Sequence, residues 1–484
     1  MNKEPSIYIG KILFLIFSFI IFSKTIAIYE GNFYIYCFFT VISFVLLFFG
    51  FRKNAIFLDT FIGIFLWLGF WLKFSIKIGF MGGVFNQPTG SFDFSQGSFD
   101  NALLVSTVGM IGLILASIIR EKFFCYPIQL KKNKNSGLDL FYLNNRKLIL
   151  IFFLILILLI GISNIYYGIY QKGTISSTKL PFMFGSLYKW LLLFGLASFS
   201  AIILNIEYLK EKKISFLVAT LSIFEVFISN VSLLSRGMIL NFSALGYGII
   251  ICSKKFKYRL DKNFFIKTGI LFLIFFLISL SLVKSIRLDV TNTKPTENLY
   301  ENISGDLSSN SPMKRYIFKL LAERWVGIEA VMSVTGYQNK NWDLLTSAWD
   351  EKYTENELSF YDRTFITSPY INANQAMVHY QTLPGIIAFC FYSGSYIFLF
   401  SCMFLIGIFS ALIEMIVYKL GGCNLILCAL ISQVVAYRFA HFGFSPSQSY
   451  LIFLAIFLNI LIFYLLNKIL GYWYKRGSLL IRKS

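Results

Sequence analysis

The sequence predicts an all-α protein, a polytopic transmembrane helical bundle with one large extracytoplasmic loop that contains an amphipathic helix. Three observations carry this prediction. Of the 484 residues, 57% are hydrophobic and only 14% are charged, and the mean hydropathy is +0.68. Apolar runs of about 20 residues, the length of one membrane crossing, recur along the chain. A single long polar insert, residues 285–383, interrupts them late in the sequence.

About twelve apolar runs are long enough to cross a bilayer, and they must be helical because lipid offers open backbone groups no hydrogen-bond partner. The runs lie at 7–29, 31–51, 55–79, 101–119, 148–168, 185–206, 214–233, 237–252, 264–284, 384–418, 424–440 and 450–470. The tenth is too long for one straight crossing, which predicts a turn around Pro384–Gly385 or a strong tilt. We therefore divide the chain into helices 1–9 (1–284), the large loop (285–383), and helices 10–12 with a tail (384–484).

Lysines and arginines gather in alternate short connections, as the positive-inside rule predicts for cytoplasmic loops. They fall in 52–53, 120–147, 210–213, 254–262 and 475–483. The net charge of +20 thus indicates membrane orientation and not a nucleic-acid partner. This pattern predicts that both termini are cytoplasmic and that the insert is outside. We interpret the N-terminal apolar run as a retained helix, because it lacks a small-residue cleavage site.

The chemistry-bearing motifs of other enzyme classes are missing from the sequence. None of the seven cysteines falls in the insert, so no disulfide framework is expected there. No CxxC motif, Cys/His cluster or DxD motif indicates a metal, and no Walker loop or dinucleotide fingerprint indicates a nucleotide. We expect no cofactor and no metal.

The segment Pro312–Tyr337 has the signals of a helix, with proline in its first turn and Gly336 near its end. The apolar side chains Ile317, Leu320, Leu321, Ile328 and Val331 share one face, and Arg315, Lys319, Glu329 and Ser333 share the other. Arg324 falls in the middle of the apolar face, where a surface helix does not place a charge. Two interpretations are open. Arg324 either grips a phosphate at the membrane surface or pairs with a carboxylate such as Glu323 or Glu301.

The seventh span carries a polar stripe at helical spacing, formed by Ser222, Glu225, Ser229, Ser232 and Arg236. Glu225 lies near the bilayer centre, where an ionised group costs roughly 2.5–3.5 kcal/mol, so it must face the protein interior. Arg236 lies where the helix meets the outer surface. It fits an anion site for a lipid-linked substrate and equally an interfacial arginine that reaches lipid phosphate.

Both histidines are expected on the outer side. His379 closes the insert, and His441 follows Arg438 by three residues, so those two share a helix face. A neutral imidazole accepts a proton from a sugar hydroxyl, but an interfacial histidine without a chemical role explains each position as well. The insert carboxylates Asp343, Asp350, Glu351, Glu355, Glu357 and Asp362 are interpreted mainly as a solvated face, with a catalytic pair among them as the alternative.

The arrangement resembles the bacterial O-antigen polymerases of the Wzy type, the oligosaccharide repeat unit polymerases. Three features carry the resemblance: many spans with one large outer loop late in the chain, the outer turn Leu234-Ser235-Arg236-Gly237, and Asn374-Gln375 leading to Leu383-Pro384-Gly385. Related O-antigen ligases have a histidine where this chain has Asn374, and His379 lies one helical turn further on. Arg324 is separated from Gly336 by one residue more than the RX10G motif of some polymerases allows.

The resemblance implies a metal-independent, inverting glycosyltransferase of the bacterial inner membrane. It would polymerise undecaprenyl-diphosphate-linked oligosaccharide repeat units into O-antigen or capsular polysaccharide, among membrane lipid and with a chain-length regulator protein as a further partner. Arg236, Arg287, Arg324 and Arg438 would hold the diphosphate. His379 or a carboxylate, here Glu329, would serve the acceptor hydroxyl, and Asn374, Gln375 and His441 would contact sugar. The alternatives are an O-antigen ligase, a flippase of lipid-linked sugar, and a membrane scaffold without catalysis.

Overall fold

The computed structural model describes residues 5–85, 87–127, 136–173, 175–182, 184–235, 237–257, 261–291, 323–352, 357–366, 382–443 and 446–481. Within these ranges every regular element is a helix. The first ten are α1 (Pro5–Ile26), α2 (Phe33–Phe49), α3 (Phe57–Met81), α4 (Gln96–Arg120), α5 (Gly137–Asn144), α6 (Arg146–Tyr167), α7 (Phe184–Glu211), α8 (Phe216–Ser232), α9 (Met238–Phe256) and α10 (Lys262–Thr291). The others are α11 (Ile328–Gly336), α12 (Trp342–Trp349), α13 (Phe360–Thr364), α14 (Gly385–Cys390), α15 (Tyr396–Leu420), α16 (Leu425–Ala440) and α17 (Pro446–Ile481).

Eight of the described helices are long and apolar enough to cross a membrane. They are α1, α3, α4, α6, α7, α10, α15 and α17. Shorter apolar helices, α2, α8 and α16, lie among them. The predicted class, an all-α polytopic membrane protein, is therefore confirmed. The count of about twelve crossings and the outer position of the insert stay predictions.

Helix α3 is the most interior of the long helices. Of its most apolar window 89% is buried, against 17% for α1 and for α10. It packs against α1, α2, α15 and α16, and α16 in turn packs against α7 and α9. α3 and α16 thus join two groups of helices, and polar side chains on either one face protein and not lipid.

Buried polar bonds fix α3 at its N-terminal end. The Glu414 carboxylate of α15 accepts hydrogen bonds from the Phe57 and Leu58 N–H groups, both at 2.9 Å, and so caps the helix. Asp59 pairs with Arg120 at the end of α4. We counted Arg120 among the cytoplasmic loop cations, but its side chain is buried in this ion pair. These bonds therefore fix the position of α3 relative to α4 and α15 at its N-terminal end.

The predicted helix 312–337 is confirmed over Ile328–Gly336 and is wrong over Arg324–Gly327, which is not helical. Glu323 is π-helical, and residues 312–322 lie outside the described residues. Arg324 therefore lies in a non-helical stretch and is exposed, not on the apolar face of a helix. Glu329 and Ser333, expected on a polar face, are buried at 2% and 0% exposure, because this segment packs into the bundle.

The long tenth run divides into two helices. α14 and α15 are separated by residues 391–395, and Gly385 at the start of α14 has a φ of +75°, which favours glycine. The Gly385 N–H donates to the Phe442 carbonyl over 2.7 Å. This bond ties the start of α14 to the chain just past α16, so both segments lie at the same end of the bundle.

Candidate functional site

Several chain reversals meet at the end of the bundle where α3 terminates. The Lys172 N–H, after α6, donates to the Leu233 carbonyl, after α8, over 2.9 Å. The Asn164 side chain bridges the carbonyls of Tyr170 and Ser232, at 2.9 and 2.8 Å. α16 runs in the same direction as α3, because Ser432 donates to the Glu414 carboxylate that caps the start of α3, whereas His441, after α16, lies beside Trp325, which stacks on Phe65 further along α3. Residues far apart in sequence are thereby brought to one end of the molecule.

A face of α3 carries Gly69, Lys73 and Lys77, which we call the lysine face. The three residues are four apart and so lie above one another on the helix. Residues Trp67–Leu72 form a π-helical turn, a feature that is frequent at functional sites. Both lysine side chains are fully buried. An ammonium group in such surroundings requires a charged or carbonyl partner, since desolvation otherwise costs several kcal/mol.

The segment that precedes α11 and the first turn of α11 supply those partners. Lys73 Nζ forms an ion pair with Glu329 and donates to the Trp325 carbonyl over 3.0 Å. Lys77 Nζ lies 3.0 Å from Glu323 Oε1. The Gln87 amide donates to the Glu323 carbonyl over 3.3 Å. A part of the polar insert is therefore bonded into the interior of the helical bundle.

At Gly69, the first residue of the lysine face, the backbone of α3 touches the backbone of the segment that precedes α11. A Cβ atom on Gly327 would lie 2.1 Å from the Gly69 carbonyl oxygen, and one on Gly69 would lie 2.2 Å from the Val326 oxygen. Both positions therefore require glycine for close packing. The chain is not helical here because its backbone packs directly against the backbone of α3.

Charges from four parts of the chain gather around Tyr437 and His441, at the end of α16. Arg324 and Arg438 both act electrostatically on the Tyr437 phenol, and Lys172 and Lys73 act on the His441 imidazole. We call this set of four basic residues the cationic cluster. Arg438 Nε also donates to Ser449 Oγ over 3.0 Å. Lys73 is already paired with Glu329, so Arg324, Arg438 and Lys172 carry the positive charge that favours an anion here.

Aromatic rings pack the base of the cationic cluster. His441 stacks on Tyr437 with ring centroids 4.0 Å apart, and Nδ1 lies 3.2 Å from the Tyr437 carbonyl. The imidazole also bonds to the backbone of Arg324. Trp325 stacks on Phe65 of α3 at 5.7 Å. His441 thus supports the chain at Arg324 and is itself buried.

The α11 helix is also held by the segment 357–366 and by Lys340. The Tyr361 hydroxyl lies 2.6 Å from Ser333 Oγ, and Lys340 donates to the Thr335 carbonyl at the end of α11. Burial lowers the pKa of the Lys340 ammonium. Asp362, expected on a solvated face, is buried instead, and burial raises the pKa of its carboxyl although Ser359 and Thr382 donate to it.

Four of the predicted site residues lie in this region: Arg324, Arg438, His441 and Glu329. The remaining ones are not seen there. Arg236, Asn374, Gln375 and His379 lie outside the described residues, and Arg287 lies in α10 with a side chain outside the description. The polar stripe of Ser222, Glu225, Ser229 and Ser232 faces the interior, as predicted, and Glu225 Oε1 accepts from Ser229 over 2.8 Å.

Sequence reasoning missed Lys73 and Lys77. The signal was present, because two lysines four residues apart inside an apolar run are expensive unless they are paired. The sequence pattern assigned Glu329 to a polar helix face and offered Glu323 as a partner of Arg324, whereas the structure pairs both carboxylates with these lysines. Among the described residues no group of three histidine, cysteine or acidic side chains is arranged to hold a metal ion.

Comparison with known proteins adds no relative. No protein-family model, no curated protein and no solved structure matches this chain. The resemblance to the O-antigen polymerases therefore rests on the sequence features given above. The basic side chains near the ends of α3 and α16 are the features from which a function can be proposed.

Proposed function

We propose that this protein is a glycosyltransferase that polymerises polyprenyl-diphosphate-linked oligosaccharides at the outer face of the bacterial plasma membrane. The observation that carries the proposal is the packing of the Arg324 segment on the end of α16, where the Trp325 ring lies 6.5 Å from the His441 ring and His441 stacks on Tyr437, the neighbour of Arg438. The cationic cluster lies at the end of a bundle of apolar helices. A ligand with an anionic head and an apolar tail fits both features.

A diphosphate headgroup suits this set of residues. Arginine presents a planar fork that gives two parallel charge-assisted hydrogen bonds to phosphate oxygens, and lysine adds a compact charge. The donor bond in such a substrate breaks with the electron pair moving to the diphosphate. Cations that are already in place stabilise the charge that develops on the leaving group. The sugar–phosphate bond supplies the free energy, so no nucleotide site is needed.

Acceptor activation is assigned to Glu329 or to His379. The acceptor hydroxyl oxygen attacks the anomeric carbon, the carbon–oxygen bond to the diphosphate breaks, and the hydroxyl proton passes to the base. Glu329 is buried and pairs with Lys73 through one oxygen, while Oε1 has no hydrogen-bond partner among the described residues. That oxygen is buried, so a substrate hydroxyl would reach it only if the segment before α11 moves. The released lipid is the polyprenyl diphosphate.

The proposal assigns roles to residues outside the described part of the chain. Arg236 follows Ser235 directly in the sequence, and Lys172 bonds to the backbone at Leu233, so the described chain that leads to Arg236 lies beside Lys172. Arg236 and Arg287 would add to diphosphate binding. Asn374 and Gln375, before the described Thr382, would contact sugar together with His441. A chain-length regulator protein would be a further partner.

A deletion strain tests the proposed function. Its surface polysaccharide should consist of single repeat units on the lipid A core, because units are still made and exported but not joined. Accumulation of free lipid-linked polymer would instead identify an O-antigen ligase. Loss of every outer-face intermediate would identify a flippase. Unchanged long chains would contradict all three functions.

A further inference from the structure

We propose that Lys73 and Lys77 are positioning residues, which hold Glu323–Gly327 against α3 and thereby fix Arg324 in the cationic cluster. The inference rests on the proposed function in one respect, that Arg324 binds the diphosphate of the lipid-linked substrate. Neither lysine is needed to touch substrate, because Lys73 is paired with Glu329, and Lys77, which is outside the cationic cluster, is paired with Glu323. Their effect on binding passes through the segment they hold.

The contacts form a regular series along the lysine face. Gly69 meets Val326 and Gly327, Lys73 donates to the Trp325 carbonyl, and Lys77 pairs with Glu323. Positions 69, 73 and 77 ascend while their partners descend from 327 through 325 to 323. The segment therefore runs antiparallel to α3 and is attached at each helical turn. A shift of one turn would separate all three contacts together, so the series specifies a single register.

Arg324 lies between two of these attachments. Its neighbour Glu323 is held by Lys77 through the side chain and by Gln87 through the carbonyl. Its other neighbour, Trp325, is held by Lys73 through the carbonyl and by Phe65 through ring stacking. His441, which directly follows α16, bonds to the Arg324 backbone itself. Because the main chain is fixed on both sides, the exposed Arg324 guanidinium can occupy fewer positions.

The charges give these attachments their specificity. A buried lysine that loses its carboxylate leaves an uncompensated charge, so each pair strongly opposes separation of the two segments. Preorganisation of this kind raises affinity, because the ordering of a binding side chain is completed before the ligand arrives. A purely apolar contact would allow the segment Glu323–Gly327 to slide along α3. The lysine face therefore links the interior of the bundle to the geometry of the substrate site.

The test uses the full-length protein in lipid nanodiscs and geranylgeranyl diphosphate as the probe. Lys77→Met should weaken probe binding about tenfold, and Arg324→Ala should weaken it at least as much. In the double variant Lys77→Met/Arg324→Ala the lysine change should have no further effect, because Lys77 acts through Arg324. Lys419→Met, which alters an exposed lysine at the opposite end of the bundle, is the matched control and should bind as the wild type does.

Hydrogen exchange supplies a readout that does not depend on the probe. Amides of Glu323–Gly336 should exchange faster in Lys77→Met, and also in the milder variant Glu323→Gln, than in the wild type. Unchanged exchange in both variants would overturn the positioning role. So would an equal loss of affinity from Lys77→Met with and without Arg324. Failure of the wild type to bind the probe would overturn the diphosphate site, while exchange would still judge the attachment of the segment.

Discussion

The Lys77 ammonium lies 3.0 Å from the Glu323 carboxylate and joins a transmembrane helix to a residue 246 positions later in the chain. Four residues earlier, Lys73 forms a second pair with Glu329. These pairs place Arg324 and the start of α11 beside α16, where Arg438 and His441 complete the candidate site. The polar insert and the helical core are thus parts of one structure, and the predictions below depend on that connection.

Replacing one partner of the Lys73–Glu329 pair should destabilise the protein much more than replacing both. Lys73→Met leaves a buried carboxylate without its counter-charge, so we expect a loss of about 3–5 kcal/mol in the free energy of unfolding. Lys73→Met/Glu329→Leu removes both charges and should be clearly more stable than the single variant. Thermal unfolding in detergent compares the two. As a control, Arg363→Met alters exposed ion pairs and should cost under about 1 kcal/mol. Equal losses in the single and double variants would refute the pairing.

The contact between Gly69 and Gly327 should tolerate no side chain. Gly327→Ala directs a Cβ atom to 2.1 Å from a backbone oxygen, which α3 can relieve only by moving. We expect a destabilisation of roughly 1–3 kcal/mol, the usual range for overpacking. Gly246→Ala, whose Cβ would meet nothing within 4 Å, is the matched control in α9. The unfolding midpoints of the two variants decide the matter, and a fully stable Gly327→Ala would show that the two backbones do not touch.

Arg324→Ala should abolish polymer while the amount of protein in the membrane stays unchanged. The side chain is exposed and its loss leaves the fold intact, but a bidentate phosphate contact disappears. Arg324→Lys should retain a small part of the activity, because it keeps the charge without the fork. Electrophoresis of surface polysaccharide from complemented strains measures both, with Arg363→Ala as the control. Normal long chains in Arg324→Ala would remove Arg324 from the site.

Asp362 should make the protein less stable as the pH rises. Burial raises the pKa of this carboxyl in the folded state above its unfolded value, so the folded chain holds the proton more tightly. The stabilising contribution is therefore complete below the unfolded pKa and is lost as the pH rises through the folded pKa. Unfolding midpoints measured from about pH 4 to pH 8 should fall less steeply for Asp362→Asn than for the wild type. Parallel pH profiles would contradict this origin.

Sequence patterns predicted the parts of this fold that depend on hydrophobicity. The apolar runs predicted the membrane class, and the cost of a charge in lipid predicted that Glu225 faces the interior. The same cost applies to Lys73 and Lys77. The positions of charges within one helix, however, do not reveal which distant carboxylates pair with them. Helix periodicity predicted the wrong conformation only for Arg324–Gly327, where the tertiary contact of Gly327 with Gly69 overrides local propensity. Arg324 was chosen for its place on a helix face, yet its surroundings come from α3 and α16.

The most direct measurement of the central claim is a transfer assay with purified protein in nanodiscs. Lipid-linked repeat units extracted from the deletion strain are the substrate, and mass spectrometry follows chain length and released polyprenyl diphosphate. The wild type should produce a ladder of longer chains with one diphosphate lipid released per bond, and Arg324→Ala should produce none. Intact repeat units that are neither lengthened nor released by the wild-type protein would contradict the account.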